Sequence, residues 1–232
     1  MKRRPAIHPA AACFLLTLAA AMLSWIGSVY GWEGVRSIIS AEGLRWCLRS
    51  AAANYIGSPF FSMIFTLSLG VGLWLDTGLW RLLAEAAKGE RTPSRRERRA
   101  LGASTVATSA FVALVALATI ASGGIVRSIT GTMTDSPLAD GAPLLLALGL
   151  GVSAVAYAYT AGIYSNHHDI LHGMAQGLRH FARCFVTLFF VVQLFSTLQF
   201  TGLMTSAGIP EWVTQTLRCV CCLLTLAEVG RE

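Results

Sequence analysis

His167, His168, Asp169 and His172 crowd into six residues, and imidazole and carboxylate are side chains that ligate metal ions. On a helix His168 and His172 would share a face, one turn apart. No other helix offers them a clear partner. A helix start with Ser165 or Asn166 as N-cap accounts for the same residues more simply, so no metal is expected. Cys219 and Cys222 have the separation of two zinc ligands but no local second pair. The six cysteines, with Cys13 and Cys184 inside apolar runs, read as small apolar filler and not as a disulfide framework.

Asp76 is the one carboxylate that falls within an apolar run. Carboxylates inside membranes are costly and often serve ion or proton relays. The competing reading puts Asp76 near the interface, hydrated or paired with Arg81. Asn54 and Gln193 complete the set of candidate substrate or ion residues; for these amides the competing role is to bridge neighbouring helices by hydrogen bonds. Gly70 and Gly72, with Ser68, are expected to let a second helix approach closely. The histidines lack the paired motifs of a membrane enzyme, so neither enzymatic activity nor a cofactor is expected.

These residues must be positioned by apolar elements. Of the 232 residues 54% are hydrophobic and only 13% charged, about half the charged share of a soluble domain. Crossing a bilayer takes about 20 mostly apolar residues in a helix, because lipid offers the backbone no hydrogen-bond partners. Runs of this kind fall at 10–31, 59–83, 101–126, 143–163 and 181–203. Lys2, Arg3 and Arg4 ahead of the first run would also suit a secretory signal, but that run outlasts an h-region and reaches Trp25, Tyr30 and Trp32, which read as an interfacial belt. Between the first two runs, Val35 to Tyr55 alternates apolar and charged residues. It predicts an external amphipathic segment with Ser40 as N-cap and Glu42 in the first turn. Trp212 to Ala227 holds Gln215 and Arg218 and predicts a C-terminal interfacial or half-inserted helix. The fold class expected is an all-α membrane protein of about five transmembrane helices. A polar, turn-rich connector from Gly89 to Arg99 divides it into a front two-helix part (1–88), a basic connector (89–100) and a back three-helix part with the C-terminal helix (101–232). No internal repeat is evident.

The net charge of +6 does not point to nucleic acid, because the basic residues sort by loop. Of the 18 Lys and Arg, seven lie between Arg81 and Arg99 and three at the N-terminus, whereas the loop after the third run holds Arg127 alone. The positive-inside rule then places the N-terminus and the loops after the second and fourth runs in the cytoplasm of a multi-pass protein of a bacterial-type inner membrane.

Two stretches resemble a known family. Gly43-Leu44-Arg45-Trp46, then Asn54, Pro59, the run Leu69 to Leu73 with its Gly-x-Gly, and Thr77-Gly78-Leu79 are similar to the front of AbgT (p-aminobenzoyl-glutamate) transporters. From Arg127 onward, Thr130-Gly131, Ser136-Pro137-Leu138, Tyr157, Gly162, Asp169, Met174, Phe189-Phe190 and Gln193 resemble the region before that family's second hairpin.

The resemblance implies ion-coupled secondary transport of p-aminobenzoyl-glutamate or a related folate metabolite, a small anionic substrate. It also implies a homodimer, or association with a full-length relative, in the lipid bilayer. Relatives are more than twice as long and carry two re-entrant hairpins, whereas this sequence has room for only one span between Arg99 and Arg127 and ends where the second hairpin would begin. The alternative expectation is therefore a non-transporting scaffold subunit that keeps the inner helices. Continuous spans without a central Pro, and an Asp76 without polar company, lead to the further expectation that the protein alone moves no substrate in liposomes.

Overall fold

The computed structural model describes residues 8–120 and 137–229. Lys2, Arg3, Arg4, Arg127, Thr130 and Ser136 lie outside them. The elements are α1 (Pro9–Val29), α2 (Ala41–Ile56), α3 (Pro59–Asp76), α4 (Leu79–Ala87), α5 (Arg95–Ile120), α6 (Pro137–Ala161), α7 (His167–His180), α8 (Ala182–Thr201), the short α9 (Leu203–Ser206) and α10 (Glu211–Leu224), closed by a 3-10 turn (Thr225–Glu228). No strand occurs among the described residues.

Five helices are long and apolar enough to cross a membrane: α1, α3, α5, α6 and α8. Their outer faces are apolar too. Leu114 and Leu117 on α5 are 67% and 73% exposed, a surface suited to lipid rather than water. At 14 residues, α10 rises only about 21 Å and cannot cross by itself.

Local chemistry sets the ends. Ser40 caps α2 by accepting from Gly43 N–H at 3.1 Å, with Glu42 in the first turn, as the sequence predicts. The basic run Arg95 to Arg99 is a different matter: it is the first turn of α5 and no part of an irregular connector. The cause is a capping box. Ser94 N–H donates to the Glu97 carboxylate at 2.8 Å, and Glu97 N–H donates to Ser94 Oγ at 3.3 Å. The apolar run 59–83 is likewise not one helix. It ends at Asp76, where Thr77 donates its hydroxyl to Leu73 O (2.8 Å) and Gly78 turns left-handed at φ +69°. The same device closes α8, with Thr201 bonded to Thr197 O (2.8 Å) and Gly202 at φ +69°. Thr-Gly-Leu thus recurs at 77–79 and 201–203 as a repeated helix stop, although the sequence shows no repeat around it. Pro143 lies inside α6 because that helix begins six residues ahead of the apolar run.

By contacts the chain divides into two compact units, one of residues 1–62 with 182–232 and one of residues 63–181. In the first, α8 is the centre. Phe190 meets Phe14 of α1 edge-on at 5.7 Å, and Phe200 stacks on Trp46 of α2 at 4.4 Å. Tyr55 donates to Phe185 O at 2.9 Å and Arg36 N–H to Thr201 O at 3.0 Å. In the second unit, α3 packs against α6 and α7 through its glycines. A Cβ on Gly70 would lie 2.5 Å from Ala147 O, and one on Gly72 would lie 2.6 Å from Gly173 O and Gly177 Cα. Backbones meet here because no side chain intervenes. Trp74 fixes the same contact by donating its indole N–H to Leu150 O (2.9 Å) and Ser153 Oγ (2.7 Å). Ser153 O in turn accepts from Ser104 of α5 at 2.9 Å.

Candidate functional site

Asp76 is the last residue of α3. The left-handed turn that follows leaves its carboxylate at the helix end, where the chain from α6 to α7 approaches. Tyr164, in that connection and only 4% exposed, donates its phenol to Asp76 Oδ2 at 2.8 Å. His172 on α7 brings Nδ1 to 3.5 Å from Oδ1. Asp76 therefore has polar company, and its partners are Tyr164 and His172, not Arg81. The spacing of 88 residues between Asp76 and Tyr164 hides this pair from any local reading.

These groups line a cavity of about 260 Å3 with Ile163 and Asp169. Asp169 is held by the start of α7, where its carboxylate accepts from Asn166 N–H at 2.9 Å and Ser165 N–H at 2.7 Å. Those backbone bonds hold its carboxyl below the usual range, because they favour the charged form. Asp169 is thus an anion fixed by the N-cap that the sequence anticipates at Ser165 or Asn166. Tyr164 is pushed the other way, first by burial and then by its bond to Asp76, so it stays a neutral donor. His172 is the exposed member, its side chain 62% open against 19% for Asp76. A carboxylate bonded to a phenol, with an imidazole in reach and a fixed second anion nearby, can bind and pass on a proton.

The other histidines stay apart from this arrangement. His167 and His168 lie ring to ring at 4.3 Å, and among the described residues no three His, Cys, Asp or Glu side chains gather as a metal group. Cys222 is buried and Cys219 exposed, and burial pushes the Cys222 thiol up to about 11. Gln193 bridges helices, donating from Nε2 to Ala51 O of α2 at 2.6 Å. Asn54 Nδ2 is buried and has no hydrogen-bond partner among the described residues. Both amides belong to the unit of α1, α2 and α8, whereas Asp76 belongs to the other.

The AbgT transporter family matches residues 82–220, more than half of the chain. The chain belongs to the AbgT transporter family. This AbgT-family protein is accordingly a membrane protein of a transporter family. The match takes in the second stretch of resemblance from Arg127 to Gln193, together with Tyr164, Asp169 and His172, and begins after the first stretch and Asp76. No curated protein and no solved structure matches the chain.

Proposed function

We propose that this AbgT-family protein carries out ion-coupled secondary transport of p-aminobenzoyl-glutamate or a related folate fragment. The observation that carries the reading is the Asp76 cluster. A chargeable carboxylate ends an apolar helix, held by a phenol and faced by an imidazole, in a chain of a transporter family. One premise for the expectation that the protein alone moves no substrate is removed, because Tyr164 and His172 face Asp76. The five apolar spans themselves are continuous helices, with α3 and α8 stopping just before Gly78 and Gly202.

The direct test of substrate is exchange. Liposomes holding the purified protein and preloaded with unlabelled p-aminobenzoyl-glutamate should take up labelled compound faster than protein-free liposomes. Equal rates would count against the reading.

The proposal includes an inner (plasma) membrane location with a cytoplasmic N-terminus, supported by the sorting of basic residues, and self-association as a homodimer, supported by the resemblance. In a background without native cysteines, a cysteine at position 94 should be protected from impermeant reagent on intact cells and one at position 136 labelled. The reverse pattern would invert the orientation.

A further inference from the structure

A second cavity, of about 440 Å3, lies in the unit formed by residues 1–62 and 182–232. Its walls are the first residues of α3, the end of α8 with the Gly202 turn, and one face of α10. Its volume is that of a small-molecule site.

Two kinds of surface meet there. Phe60 and Phe195 supply flat apolar walls, and Gln199, Gln215 and Arg218 supply polar ones. Arg218 is half-buried, yet among the described residues it makes no ion pair and no hydrogen bond. A guanidinium partly withdrawn from water beside aromatic walls gains when an anion or other acceptor meets it. One turn earlier on the same helix, Thr214 Oγ1 is buried without a hydrogen-bond partner among the described residues. Buried polar groups are rarely left so, and a hydroxyl and a guanidinium one helical turn apart can donate to the same acceptor-rich group. Glu211, seven residues before Arg218, lines the cavity too. Seven residues of helix rise about 10 Å, so the cavity offers a cation at one end, an anion at the other and apolar faces between.

We infer that this cavity is a binding site for an elongated aromatic carboxylate, its carboxylate on Arg218 and Thr214, its ring against Phe60 and Phe195, and a hydrogen-bond donor toward Glu211. The choice of probe rests on the transport reading, since p-aminobenzoyl-glutamate has this form; the site itself rests on the unpaired Arg218 and Thr214.

The test is equilibrium binding of p-aminobenzoyl-glutamate to purified full-length protein in detergent. Arg218→Gln should raise Kd about tenfold or more, as loss of a charged hydrogen bond does. Arg218→Lys should recover part of the loss, and Arg179→Gln, on the exposed face of α7, should leave Kd unchanged. Melting curves of each variant verify the fold. Aniline, without a carboxylate, and glutamate, without a ring, should both bind far more weakly. An unchanged Kd in Arg218→Gln overturns the assignment, as does glutamate binding as tightly as the full probe. So does a bound anionic lipid that is lost in Arg218→Gln but that the probe never displaces. The two readings fail separately. Binding that depends on Arg218 without exchange removes transport alone, and exchange at the wild-type rate in Arg218→Gln removes the site alone.

Discussion

Leucine at Gly72 should leave little folded protein in detergent, and leucine at Gly70 should lower both yield and melting temperature. At Gly72 the first atom of any side chain would lie 2.6 Å from Gly173 O and from Gly177 Cα and N. All three are backbone, so no rotamer change relieves the contact and α3 and α7 must part. At Gly70 the obstacle is Ala147, with O at 2.5 Å and Cα at 2.9 Å. Overpacking in a close contact costs about 1–3 kcal/mol and more where backbone must move. Separating α3 from α7 would also pull Tyr164 and His172 away from Asp76. The control is Gly102→Leu on α5, where a Cβ meets nothing within 4 Å. It should be tolerated, because Leu is also the better helix former. Equal behaviour of Gly72→Leu and Gly102→Leu would mean that the face of α3 looks at lipid.

The glycines illustrate what the sequence makes legible. Spans show in hydropathy because roughly 20 apolar residues in a row have no soluble explanation, and all five appear within several residues of their expected places. Caps show because Ser40 and Asn166 announce helix starts with local chemistry. The Thr-Gly stops do not show in the same way. Leu79, Trp80, Leu82 and Leu83 continue the apolar run beyond Gly78, and averaging over a window erases a single left-handed residue. The start of α5 was obscured for the opposite reason. Five consecutive charged residues, Arg95 to Arg99, look like loop until the reciprocal Ser94–Glu97 pair is recognised as a cap.

The candidate site was legible one residue at a time. Asp76 stands out as a carboxylate in an apolar run, and His172 as part of a histidine group, but their meeting depends on how α3 packs on α7. That packing is written in Gly70 and Gly72, whose role as a close-approach face the sequence does suggest. Tyr164 gave no signal at all. It is a single aromatic residue among many, and its phenol becomes informative only at 2.8 Å from Asp76. Arg218 shows in the sequence only as a charge that makes the stretch from Trp212 to Ala227 interfacial or half-inserted.

Changing Asp76 to asparagine should preserve the fold and abolish gradient-driven accumulation of p-aminobenzoyl-glutamate. The amide keeps an oxygen for the Tyr164 phenol, so the contact between the α6–α7 connection and the end of α3 survives. It cannot take a proton or hold a cation as a carboxylate does, and the contact with His172 loses its carboxylate oxygen pair. Exchange without a gradient needs no ion cycle and should continue. Asp76→Asn is thus expected to separate translocation from coupling, falling to the level of empty vesicles in the one assay and remaining above it in the other. Loss of both together with a lowered melting temperature would assign Asp76 a packing role instead.

The central claim is ion-coupled transport by this protein, and its most direct measurement is accumulation of labelled p-aminobenzoyl-glutamate in liposomes that contain only the purified full chain. With an imposed proton or sodium gradient, accumulation should exceed that of protein-free vesicles and collapse when an ionophore dissipates the gradient. Accumulation no greater than in protein-free vesicles under both gradients, in either orientation of the gradient, would contradict the account.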